Sequence, residues 1–66
     1  MKLLINGTEK ELNATSSLND AITQLCKRPE HVLAELNGNI IKKDAWDNTP
    51  LKNGDALELI SFVGGG

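Results

Sequence analysis

Tyrosine is absent from this 66-residue chain, and cysteine, histidine, tryptophan and phenylalanine occur once each. The lone cysteine, Cys26, has no partner for an internal disulfide, so nothing asks for an oxidising compartment and the cytoplasm is the expected setting. One histidine and one cysteine leave no pair of ligands at metal spacing, and no nucleophile with its own base for an enzyme acting alone. Two aromatic residues, Trp46 and Phe62, are too few for a base-stacking platform. Lys and Arg number seven against nine Asp and Glu, a formal charge of −2. With no basic cluster, nucleic acid is not an expected partner, because neutralising phosphates needs grouped cations. The apolar runs are too short for a membrane span, and no secretory hydrophobic segment follows Met1.

What is present is the composition of a soluble globular domain, 39% hydrophobic and 24% charged. A chain of this length makes one domain, burying only about 60% of the surface its unfolded form exposes, with little room for an enclosed pocket. Its most informative stretch is the last, Phe62-Val63-Gly64-Gly65-Gly66. Consecutive glycines lose the most conformational entropy on ordering and bury no side chain, so they contribute nothing to a core. They do make a thin thread that ends in a carboxylate, ionised near neutrality. From Val63 onward the thread spans about 13–14 Å when extended, enough to place its end inside another protein's cleft. The expected division is a folded domain over residues 1–62 and a flexible tail over 63–66 carrying the reactive carboxylate.

The body reads as short elements joined by strong turn signals. Met1 to Ile5 alternates, with Leu3 and Ile5 on one face and Lys2 and Leu4 on the other. Asn6-Gly7 is a type I′ hairpin signal, because that turn needs two residues at positive φ. Thr8 to Leu12 returns antiparallel, charged enough to protect an edge, with Leu12 its one good core residue. Ser17 opens a helix, since Ser17-x-x-Asp20 is an acidic capping box. Leu18, Ala21, Ile22, Leu25 and Cys26 fall on one apolar face. Lys27 and Arg28 are expected in the last turn, and Pro29 stops a helix of about ten residues. Val32 to Leu36, Asn37-Gly38 and Ile40-Ile41 form a second strand–turn–strand unit. Lys42 to Trp46 makes one helical turn, and Leu51 plugs the core between turn-rich segments. Ala56 to Phe62 is the final strand, with Leu57 and Leu59 pointing one way and Ala56, Glu58, Ile60 and Phe62 the other.

These elements define an α+β fold, a mixed sheet of four or five strands with one main helix packed on one face. A strand returning beside the first after the helix makes a right-handed crossover. One helix covers one side of a small sheet, which leaves Leu4, Ile60 and Phe62 together on the other side, just before the tail. They form a candidate docking patch, with Val63 beside them. Cys26 reads as a small buried hydrophobe, His31 as a solvated loop residue, and Trp46 as a packing residue.

The arrangement resembles the β-grasp, or ubiquitin-like, fold. The string Glu35-Leu36-Asn37-Gly38-Asn39-Ile40-Ile41, then Trp46, then Thr49-Pro50-Leu51-Lys52-Asn53-Gly54-Asp55, and the Phe62-Val63-Gly64-Gly65-Gly66 end resemble the ThiS family, sulfur carrier proteins of thiamine biosynthesis. The resemblance covers essentially the whole chain, with Lys42-Lys43 where many relatives carry a Pro-Arg pair. It implies that the chain is not an enzyme but a protein cosubstrate with no bound cofactor and no metal. A ThiF-type adenylating enzyme consumes ATP to make an acyl-adenylate at Gly66. A persulfide sulfur donor, supplied by a cysteine desulfurase system, converts it to a thiocarboxylate. A ThiG-type thiazole synthase then takes the sulfur into the thiazole ring. Gly64 and Gly65 thread the tail into its partners. Two alternatives share the fold: a small subunit of molybdopterin synthase resembling MoaD, and a ubiquitin-like non-catalytic binding module.

Overall fold

The two Asn-Gly turns organise the architecture. In the computed structural model, which describes residues 1–13 and 15–62, Asn6 and Asn37 sit at φ 48° and 50°, and the following Gly7 and Gly38 at 83° and 90°. Positive φ at both central residues matches the right-handed twist of the flanking strands, so each turn closes a tight hairpin. The first joins β1 (Lys2–Ile5) to β2 (Thr8–Glu11), and the second joins β3 (Val32–Leu36) to β4 (Asn39–Ile41). Between the hairpins lie helix α1 (Leu18–Leu25) and a 3₁₀ turn over Pro29–His31. A 3₁₀ segment over Lys43–Asn48 leads towards the last strand, β5 (Ala56–Ser61).

The strands form one five-stranded sheet in the order β2-β1-β5-β3-β4. The last strand is therefore the central one, parallel to β1 and antiparallel to β3. The strand beside β1 is β5, and β3, which directly follows the helix, lies one place further out. Both turn asparagines fasten β5 in this slot. The Asn6 side chain accepts the Leu59 N–H at 2.7 Å and donates to the Leu59 carbonyl at 3.2 Å. Asn37 accepts the Ala56 N–H at 2.9 Å and donates to Asp55 at 3.0 Å. One residue type thus serves the turn through its backbone and the neighbouring strand through its amide.

Helix α1 starts as its capping box requires. Ser17 Oγ accepts the Asp20 N–H, and the Asp20 carboxylate accepts the N–H groups of Ser16 and Ser17 and the Ser16 hydroxyl. These bonds, the Ser16 hydroxyl foremost, hold the Asp20 carboxyl below its ordinary range. Eight residues are helical rather than about ten. Cys26 is already extended, and no basic residue occupies the last turn, so Lys27 and Arg28 lie beyond the helix. A residue preceding proline is excluded from the α region; Arg28 obeys this, and the chain leaves the helix before reaching it.

The core lies between α1 and one side of the sheet. Leu3 and Ile5 of β1, Val32 and Ala34 of β3 and Leu57 of β5 face Leu18, Ala21 and Ile22. Leu12, Leu51 and Trp46 complete the core, as a core residue of the second strand, a plug between turns and a packing aromatic were expected to. Trp46 is 2% exposed, and its indole N–H donates to the Ile41 carbonyl at 3.0 Å, so both its apolar body and its polar tip are satisfied. The segment carrying it is two turns of 3₁₀ helix rather than one helical turn.

Candidate functional site

The site is built on the end of the central strand. The β3–β5 ladder runs through Leu33↔Ile60 and Val32↔Ser61. It is continued by one more bond, from the Phe62 N–H to the His31 carbonyl at 2.9 Å. The Phe62 and His31 rings lie side by side with centroids 6.4 Å apart. His31 is half-buried in the 3₁₀ turn, not in an open loop as the sequence suggested. The 3₁₀ turn before β3 thus holds the backbone of Phe62, the last described residue before the tail. Val63, Gly64, Gly65 and Gly66, the expected docking, threading and sulfur-carrying positions, lie outside the described residues.

Side chains alternate along each strand, so covering one side of the sheet with α1 leaves a complete set on the other. Leu4 and Ile60, expected there, are exposed on that open side, and Phe62 is exposed just beyond it. Leu4, paired with Ala56 at the start of β5, stands at the far end of that strand from Phe62 rather than together with it, because β1 runs alongside only the first part of β5. The structure adds two residues that the sequence reading missed, Leu33 and Ile40. Each of the five is at least 39% exposed. Leu33 could have been found from its alternation with Val32 and Ala34. Ile40 could have been found from the one-residue offset that separates it from Ile41. Charged side chains interleave with this patch. Lys2 shares the open side of β1 with Leu4, and across the first hairpin Glu11 and Glu9 stand opposite them. Glu35 and Glu58 stand opposite each other at the centre.

Chemistry intrinsic to the folded body is sparse. Among the described residues no group of three or more His, Cys, Asp or Glu is placed to hold a metal ion. Cys26 is half-buried, packed against the core, and burial pushes its thiol up, away from the thiolate that a nucleophile needs. It lines a shallow open depression with Arg28, His31 and Phe62. Among the described residues Asp55 is the one buried carboxyl, and its bonds to Asn37 and Lys52 serve the turn before β5.

A hairpin, a helix, a second hairpin and a central last strand, in mixed order around one helix, define a ubiquitin-like β-grasp protein. Residues 3–66 match the model of the ThiS family, and the chain belongs to that family. The crystal structure of the thiamine biosynthesis protein (ThiS) from Geobacter metallireducens superposes with a TM-score of 0.81, at 35% identity, over all of both chains. The whole chain is also 33% identical to a segment of a thiazole synthase from Paramagnetospirillum magneticum. It is 29% identical to one from Magnetococcus marinus. The chain spans about 20% of the length of each of these two synthases.

Proposed function

We propose that this chain is the sulfur carrier for thiamine thiazole synthesis, a protein cosubstrate acted on by partner enzymes rather than an enzyme. The observation that carries this reading is the match to the ThiS family over residues 3–66. The occurrence of a similar segment within proteins named thiazole synthase supports a ThiG-type synthase as one partner.

The Gly66 carboxylate is the reacting group. A carboxylate is a poor acyl electrophile until one oxygen is made a leaving group. A ThiF-type partner does this by letting the carboxylate attack the α-phosphate of ATP, which expels pyrophosphate and leaves an acyl-adenylate. The terminal sulfur of a persulfide donor displaces AMP, and a second thiol cleaves the S–S bond, leaving a thiocarboxylate on Gly66. The synthase takes that sulfur into the thiazole ring as the acyl C–S bond breaks, an oxygen nucleophile takes its place on the acyl carbon, and the carrier regains its carboxylate. Gly64 and Gly65 suit this role because a channel narrow enough to exclude water has no room for side chains. The preorganised electrostatics for each step come from the partners. The body supplies an address on the open side of the sheet, with Ile60 and Phe62 nearest the root of the tail and Leu4 beside Ala56 at the start of β5.

Intact-protein mass spectrometry tests this directly. After incubation with the adenylating enzyme, ATP and a sulfur donor, the chain should gain the mass difference between sulfur and oxygen, and a Gly66 deletion should gain nothing. No adduct on the parent, with the same enzyme active on another carrier, would refute the reading. Thiazole formation by the synthase from the loaded carrier then identifies the product.

A further inference from the structure

The open side of the sheet combines exposed apolar side chains with carboxylates that the fold itself does not neutralise. Glu35 and Glu58 are direct cross-strand partners on β3 and β5. Like charges at such a position oppose pairing, with Cβ atoms only about 4.5–5.5 Å apart. No cation stands directly across from either within the sheet. Ile40 stands opposite Glu35 on β4, and the Leu33–Ile60 pair is the next pair along this side of the ladder. The ion pairs among the described residues join Met1 to Glu11 and Lys52 to Asp55, and include neither Glu35 nor Glu58. Every Lys and Arg of the chain is among those described residues. Glu9, opposite Leu4 on the edge strand, is likewise outside those ion pairs. Of the lysines, Lys2 stands on this side with Leu4, whereas Lys10, opposite Leu3, belongs to the other. Lys42, extended just past Ile41, follows Ile40 on this side but makes no ion pair with Glu35.

We propose that this face receives a basic protein surface, with an arginine or lysine of the partner seated between Glu35 and Glu58 and apolar contacts to Leu33, Ile40 and Ile60 around it. An arginine suits the position best, because its planar fork engages carboxylates through two parallel bonds. A second copy of this chain is the poorer occupant. Face to face it would bring two such acidic pairs together, and like-charge juxtaposition is costly across an interface. The acidic pair opposes folding of the free chain and favours the complex, so it acts as a charge filter on which protein docks at the root of the tail. The inference rests on the proposed docking role of this face and adds the chemistry of what docks there.

The test is titration of the adenylating partner with the parent chain, with the Glu35→Gln/Glu58→Gln double variant and with Ile60→Asp, at low and high salt. The double variant should bind at least tenfold more weakly at low salt and approach the parent at high salt, where exposed charges are screened. Its own thermal midpoint should rise, by about 1–5 °C, as the repulsion is relieved. Parent-like affinity and salt dependence in the double variant, with Ile60→Asp still weakening binding, would overturn the basic-partner inference and leave the docking face intact. If Ile60→Asp also binds like the parent, the docking face itself fails. A concentration-dependent dimer of the parent, lost in Ile60→Asp, would overturn the proposal by assigning the face to a second copy.

Discussion

Asn37 and Asp55 show how much single residues carry in so small a domain. Asn37 holds positive φ at the turn, bonds the first residue of β5, and donates to a carboxyl that is 5% exposed. Burial pushes the Asp55 carboxyl up. The Asn37 amide, the Lys52 N–H and the Lys52 ammonium together outweigh that effect and hold it below its ordinary value of 3.8. A carboxyl depressed in the folded state contributes stability that is fully present above its unfolded value and is lost as pH falls through its folded one. Asp55→Asn should therefore destabilise the chain near neutrality. It should also flatten the part of the acid-unfolding curve below about pH 3.8, so that parent and variant converge at the lowest pH. Urea titrations across that range check this, and a constant gap between the two would mean that Asp55 acts through packing alone.

At the scale of elements, β5 links fold to function. Its inward side chain Leu57 is fully buried, while Glu58 and Ile60 face outward and Phe62 is exposed just past its end. The two sides predict opposite outcomes for substitution. Phe62→Asp should cost about 1 kcal/mol of stability or less, as exposed substitutions do, yet weaken binding of the partner. Ile22→Ala, in the helix face packed on the sheet, should cost about 2–5 kcal/mol. That is a large share of the roughly 3–10 kcal/mol expected for a chain of this length. Denaturant unfolding and partner titration on the same two proteins separate the effects. A large stability loss in Phe62→Asp would make Phe62 part of the core rather than of the docking patch.

For the whole molecule, the proposed function divides labour between a small body that addresses and a glycine end that reacts. Gly65→Ala adds one methyl group and should leave the unfolding midpoint unchanged, since glycine runs of this kind bury nothing. If the end must enter a narrow channel, the same change should slow adenylation. Pyrophosphate release measured against the parent at equal partner concentration checks this. Equal rates would remove the narrow-channel account while leaving the carrier chemistry standing.

Local rules were legible in the chain itself. The two Asn-Gly turns, the Ser17–Asp20 capping box, the alternation in β1 and β5 and the apolar stripe of α1 each depend on residues a few positions apart. Steric and hydrogen-bonding preferences at that range act before any tertiary contact. The resemblance of the motifs to the ThiS family was equally a property of the sequence, as was the open-side position of Leu4 and Ile60. Tertiary structure decided what depends on partners distant in the chain. The insertion of β5 between β1 and β3 rests on the Asn6 and Asn37 amides reaching its backbone, contacts spanning 53 and 19 residues. The place of His31 beside Phe62 and the opposition of Glu35 to Glu58 follow from that insertion. Periodicity says which face a side chain takes within its own strand, but only the register between strands says which side chain stands across from it.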